Sequence, residues 1–179
     1  MQPSSETESP SPPTFLCDEM LQRLGSWLRA AGYDTTIARN GEDDYQLLRQ
    51  AIAEGRLLVT MDRELARHRR AKSTVVLLEA DSLEACAEAL SQQVPIDWLS
   101  APFTRCMACN TDLIDASPQQ VRSLPLKTKD HIDAAFYCPE CRQVFWEGSH
   151  VKRMRRHLQD WSDKYSHGQK VKRRRQSSY

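Results

Sequence analysis

Three times in the first half of the chain, a short apolar run ends in an acidic residue and gives way to a helical pattern. Phe15-Leu16-Cys17 meets Asp18, after which Met20, Leu21, Leu24, Trp27, Leu28 and Ala31 recur at helical spacing. RLLVT, from Arg56 to Thr60, leads to Asp62 and the charged helical stretch RELARHRR. TVVLL, from Thr74 to Leu78, leads to Glu79 and Asp81, and Ser82 then caps a helix carrying Leu83, Cys86, Ala87 and Leu90. Between the first two units lie the β-rich YDTTIAR (33–39), an Asn40-Gly41 turn and a helix begun by Asp43 and Asp44. That helix has Leu47, Leu48, Ala51 and Ile52 as its apolar face; Gly32 and Gly55 stand where the first two helices should close. Apolar strands alternating with helices predict a parallel sheet with right-handed crossovers. The fold class is α/β.

In such a sheet all strand ends that precede helices face one edge, where ligands and chemistry sit. Asp18, Asp62 and Asp81 fall there, and Asp44, at the start of a helix, reaches the same crevice. Each acid alone reads as a cap or a solvated charge, and Asp18 in particular reads as a helix N-cap. Together they suit a hard cation, Mg²⁺ or Mn²⁺, which activates water and neutralises charge developing on a phosphate. Asp43 competes with Asp44 for its role, and ADSLE around Asp81 reads equally well as loop and cap. No GxGxxG or Walker pattern is present.

After Val94-Pro95 the texture changes. Cys106-Met-Ala-Cys109 and Cys138-Pro-Glu-Cys141 are two CxxC pairs, each able to turn two thiolates toward one metal. A pair of redox CxxC motifs is the competing reading, but a thioredoxin-type motif needs no second pair at this spacing. Four sulfurs close the coordination shell, so a zinc here is expected to be structural. Cys17 and Cys86 fall at apolar positions and are expected to be buried. No run approaches the roughly 18 apolar residues of a membrane helix, and the Pro/Ser/Glu-rich start is unlike a signal peptide. A reducing, cytoplasmic setting is therefore expected, in which cysteines bind metal more readily than they pair.

The net charge of +1 hides a division: residues 1–149 hold 15 Lys+Arg against 22 Asp+Glu, and residues 150–179 hold 10 against 2. A last helix carries Val151, Met154, Leu158, Trp161 and Tyr165 on one face, with Lys152, Arg153, Arg155 and Arg156 between them. A basic end on an acidic body suggests a polyanionic partner. Trp146 and His150 can join these cations in contacting RNA, by stacking on bases. The alternatives are that Trp146 fills the core of the cysteine unit, that His150 caps the last helix, and that the cations form a solvated face.

These segments resemble the Mut-seven C-terminal ribonuclease family, a PIN-like nuclease domain followed by a zinc ribbon. FLCDEMLQRLGSWLRAAGYDT resembles its first motif, DDYQLLRQA its second and RLLVTMDRELARHR its third, matching Asp18, Asp44 and Asp62 to the family's acids. TRCMACNTDL and CPECRQVFWEGSHVKRM resemble the halves of the ribbon. Met61 stands where the family usually has Arg, and Cys17 where a small or aliphatic residue is usual. The resemblance implies metal-dependent RNA cleavage by a PIN-like parallel-sheet domain (14–100) with a small zinc ribbon (101–150) and a terminal basic helix (151–166). Residues 1–13 and 167–179 are expected to be disordered tails. The rival reading is an RNA- or ribosome-binding module with a weak or inactive nuclease site.

Overall fold

A computed structural model describes residues 11–39, 41, 43–69, 71–124 and 134–176, with side chains from 166 onward excepted. Most of the expected N-terminal tail, Asn40 and the side chains of the last basic run lie outside the described residues. Four short strands, β1 (Phe15–Cys17), β2 (Thr35–Ile37), β3 (Leu57–Thr60) and β4 (Val75–Leu77), form one sheet in the order β2-β1-β3-β4. Every pairing in it is parallel. Helices α1 (Gln22–Ala30), α2 (Asp44–Glu54), α3 (Arg63–Arg67) and α4 (Leu83–Gln93) follow the strands in turn. The architecture is the α/β one expected.

Alternation along the strands divides the core into two layers. Leu16 and Leu58 pack with Leu47, Leu48 and Ala51 of α2 and Leu65 of α3. Phe15, Cys17 and Val59 face the other way, toward α1 and α4. Two expected core positions fail. Ile52 is 45% exposed, because Leu47, Leu48 and Ala51 already fill the contact stripe of α2. Met20 is 75% exposed, because Glu19–Leu21 form a tight 3₁₀ turn before α1 begins, which breaks the helical register.

The chain leaves α1 through a Schellman motif: Gly32 N–H donates to Arg29 O and Tyr33 N–H to Leu28 O. Gly32 has φ 99°, and a Cβ there would lie 2.3 Å from the carbonyl oxygen of Ala101. Gly32→Ala combines backbone strain with a backbone clash and is expected to cost on the order of 2–3 kcal/mol, measured by urea unfolding.

The cysteine-bearing segment makes a second, antiparallel sheet, β5-β6-β7, from β5 (Ile114–Asp115), β6 (Ala135–Cys138) and β7 (Gln143–Trp146). A short helix, α5 (Pro118–Arg122), follows β5. The last helix, α6 (Ser149–Gln176), runs past Gly168, where the sequence predicts a polar tail, to Gln176. It lays Met154, Leu158, Trp161 and Tyr165 against the α1/α4 face, with the Trp161 ring 4.7 Å from Trp98 and 5.1 Å from Trp27. Trp98 is fully buried, and its indole N–H donates to Ser91 at 3.0 Å.

Candidate active site and metal centre

The Asp18 side chain makes no cap hydrogen bond to the turn that follows it, so the N-cap reading fails. It instead accepts a 2.8 Å hydrogen bond from the hydroxyl of Thr60, the last residue of β3 and fully buried. The same hydroxyl accepts from the Asp62 amide at 3.0 Å. The Asp18 amide donates across the sheet to Val59 O at 3.0 Å. Thr60 therefore ties the ends of β1 and β3 together and sets the two acids side by side. Asp62 also caps α3, its Oδ1 accepting from the Glu64 and Leu65 amides at the start of that helix.

Asp43 and Asp44 divide their roles. Asp43 caps α2, accepting from the Tyr45 amide at 3.4 Å. Asp44, one residue on, turns toward Asp62 and Asp18. Although Asp44 is exposed, its carboxyl is pushed up from the ordinary value by slight desolvation and by the neighbouring Asp62; Asp18 and Asp43 add further repulsion. This is how acids behave when they crowd together without a counter-charge. The sheet thus brings Asp18, Asp44 and Asp62 to one edge, but among the described residues the three carboxyls do not close to metal-binding distance of one another. Asp81 is exposed and lines a hollow of about 250 Å³ with Met20, Met61 and Cys86.

Thr60 is the residue that sequence reasoning missed at this edge. A polar residue closing an otherwise apolar strand run, two positions before an acid, was the signal that could have found it.

The four cysteines converge far more tightly. The sulfurs of Cys106, Cys109, Cys138 and Cys141 all lie within 4.8 Å of one another. Cys106 and Cys141 are 3.8 Å apart, and Cys109 and Cys138 3.4 Å. Tetrahedral bonds of ~2.3 Å to one zinc would separate the sulfurs by about 3.8 Å. The donor set and its spacing fit a metal ion such as zinc. Among the described residues it is the group of three or more ligand side chains that closes to metal-binding distance. Cys17 is buried, and that burial pushes its thiol up to about 12, the behaviour of an inert core cysteine.

The cysteine unit is joined to the parallel sheet through buried polar contacts. Arg29 of α1 is 7% exposed; its Nε donates to Thr35 O at 2.8 Å. Its Nη1 donates to Met107 O at 3.0 Å and Ala108 O at 2.8 Å, both inside the first CxxC loop. Asn110 accepts from the Thr35 amide at 2.9 Å and donates to Asp34 at 2.7 Å. Asp34 in turn pairs with Arg56 through both carboxylate oxygens.

The expected RNA contacts divide. Lys152, Arg153 and Arg156 are exposed on α6, as is His150 in its first turn. Arg155 lies 5.0 Å above the Phe103 ring and pairs with Glu147 at 3.0 Å. Trp146 is half-buried beside Phe103, Phe136 and Phe145 around an apolar hollow of about 190 Å³. None of these six residues is hydrogen-bonded or ion-paired to the three aspartates among the described contacts.

The chain thus places three aspartates at the carboxyl edge of a parallel α/β sheet and docks a four-cysteine unit beside it. The chain belongs to the Mut7-C RNAse domain family, whose profile matches residues 13–158. It is also 35% identical over 101 residues to the exonuclease mut-7 homolog of Homo sapiens, a match covering 54% of this chain and 12% of that protein. The chain therefore spans a small part of that relative's length. No solved structure matches it. Among the described residues no helix is long and apolar enough to cross a membrane.

Proposed function

We propose that the chain is a divalent-metal-dependent ribonuclease that hydrolyses RNA phosphodiester bonds at Asp18, Asp44 and Asp62. One observation carries this reading: Thr60 holds Asp18 and Asp62 side by side at the sheet edge, where Asp44 feels the charge of both, an arrangement costly for stability unless a cation occupies it. Asp18, Asp44 and Asp62 would hold Mg²⁺ or Mn²⁺, whose bound water would supply the nucleophile. Thr60 would keep Asp18 oriented through its hydroxyl, and Asp62 would be fixed by the α3 amides it caps. Asp81, on a hollow it shares with Met20 and with Met61, the residue before Asp62, would be a further acid of the site without joining the metal ligands. The four cysteines would hold a structural zinc, giving the unit the character of a zinc ribbon. Lys152, Arg153, Arg156 and His150 would contact RNA phosphates from α6, with exposed Arg155 and half-buried Trp146 as neighbours. A cytoplasmic setting suits free thiols of this kind.

The test strips loosely held metal with EDTA and then restores it. Cleavage of a labelled single-stranded RNA should stop on chelation and return with Mn²⁺ or Mg²⁺, while about one zinc per chain stays bound through the exchange. RNA that is bound but left intact in every metal would favour the second reading, a binding module with an inactive site.

A further inference from the structure

A cleft of about 1050 Å³ runs along the free side of β2 between α1 and the first CxxC loop. The sheet order makes β2 an edge strand. Phe15 N–H donates to Asp34 O and Ala38 N–H to Cys17 O, so the residues that bond toward β1 are the even-numbered ones. Thr35 and Ile37 therefore present their backbone groups outward. At Thr35 those groups are taken, the amide by Asn110 and the carbonyl by Arg29. The cysteine unit acts there as a substitute strand, and it stops short of Ile37. Beyond that point the wall of the cleft is polar: Gln22 and Ser26 from α1, Arg39 after β2, Gln50 from α2, and Thr111 and the carboxylate of Glu140 from the cysteine unit.

We propose that this cleft holds single-stranded RNA and leads it to the aspartate edge. The proposal rests on the ribonuclease reading above and deepens it. Three observations support this occupant. One end of the cleft runs toward the aspartate edge, since Ala38 N–H donates to the carbonyl of Cys17, the residue before Asp18. The lining offers spaced amide and hydroxyl groups that suit 2′-hydroxyls and base edges, with exposed Arg39 positioned for a phosphate. The open backbone is one residue long, too short for the run of ladder bonds that a peptide strand needs. The cleft thus uses one wall from each sheet, which gives the docking of the cysteine unit a purpose in substrate binding.

Binding is measured by fluorescence anisotropy of a labelled RNA 12-mer on the full chain in EDTA, so that cleavage does not enter. Arg39→Glu and Arg39→Ala, each alone and with Gln50→Glu, are compared with Lys72→Glu, an exposed residue before the opposite edge strand. The expected result is a loss of affinity of roughly tenfold or more for the cleft variants and less than about twofold for Lys72→Glu, where only screened long-range charge changes. DNA of the same sequence should bind more weakly than RNA. Thermal melts confirm folding, and the mild Arg39→Ala keeps the test decisive should a charge reversal unfold the protein. Equal losses at Arg39 and Lys72, or affinity unchanged in all cleft variants, would overturn the proposal. Cleft-dependent binding in a protein that cuts no RNA with Mn²⁺ would support the cleft while removing the ribonuclease reading. Normal affinity with normal cleavage in the cleft variants would do the reverse.

Discussion

Replacing Arg29 by alanine is expected to destabilise the protein by about 3 kcal/mol, lowering its melting temperature by roughly 10 °C for a chain of this size. The guanidinium is 7% exposed and donates to three carbonyls, those of Thr35, Met107 and Ala108. Truncation leaves the buried Thr35 carbonyl without its donor and the CxxC loop without its tie to α1. Each buried polar group left unsatisfied costs about 1–3 kcal/mol; the exposed position of Ala108 brings the total toward the lower end. Arg29→Lys should recover little, since one ammonium cannot reproduce the fork that spans two segments. Because two acceptors sit between Cys106 and Cys109, the variant should also release zinc faster to a chromophoric chelator. A loss below about 0.5 kcal/mol, the scale of an ordinary surface substitution, would show that the cysteine unit docks by other means.

Asp62→Asn is expected to lower RNA cleavage by about a thousandfold or more, the effect of losing several kcal/mol of transition-state charge stabilisation. Its effect on the metal-free fold should be small, since an asparagine oxygen can still accept from the Glu64 and Leu65 amides. Asp44→Asn should go further and raise metal-free stability slightly, because it removes one of the crowded charges. The pH dependence carries the sign. The Asp44 carboxyl is raised in the folded state, so its contribution to stability is complete below the ordinary carboxylate range and is lost as pH rises through its folded pKa. Asp44→Asn should flatten that part of the stability–pH profile, and Mn²⁺ should flatten it in the unsubstituted protein. Chemical denaturation at several pH values, with and without Mn²⁺, measures both.

Much of this organisation was legible from residues because the rules involved are local. Buried runs such as RLLVT become parallel strands, Ser82 caps α4 with its hydroxyl on the Ala85 amide, and Gly55 closes α2 with φ 66°. The four cysteines were legible because their spacing already contains the geometry of a metal shell. What escaped were the hydrogen-bond and packing partners that join segments distant in the chain. Arg29 looked like one more polar position on an amphipathic helix, yet it bonds to residues 78 and 79 positions away. Trp98, in a stretch with no periodicity, is fully buried only because α6 returns to cover it. Asp18 looked like a cap because a cap needs only its own neighbours; its actual partner, Thr60, lies 42 residues on. Residue pattern alone left Asp43 and Asp44 in competition, the family resemblance favoured Asp44, and the helix start makes Asp43 the cap.

The aspartate edge is tested most directly by one comparison: cleavage of a single-stranded RNA in Mn²⁺ by the unsubstituted chain and by Asp18→Asn, with matched folding and matched RNA affinity. Asparagine retains an acceptor for the Thr60 hydroxyl, so the change removes the charge and leaves the tie between β1 and β3 in place. The account predicts Mn²⁺-dependent cleavage by the first protein and a loss of about a thousandfold in the second. Equal cleavage by the two would contradict it.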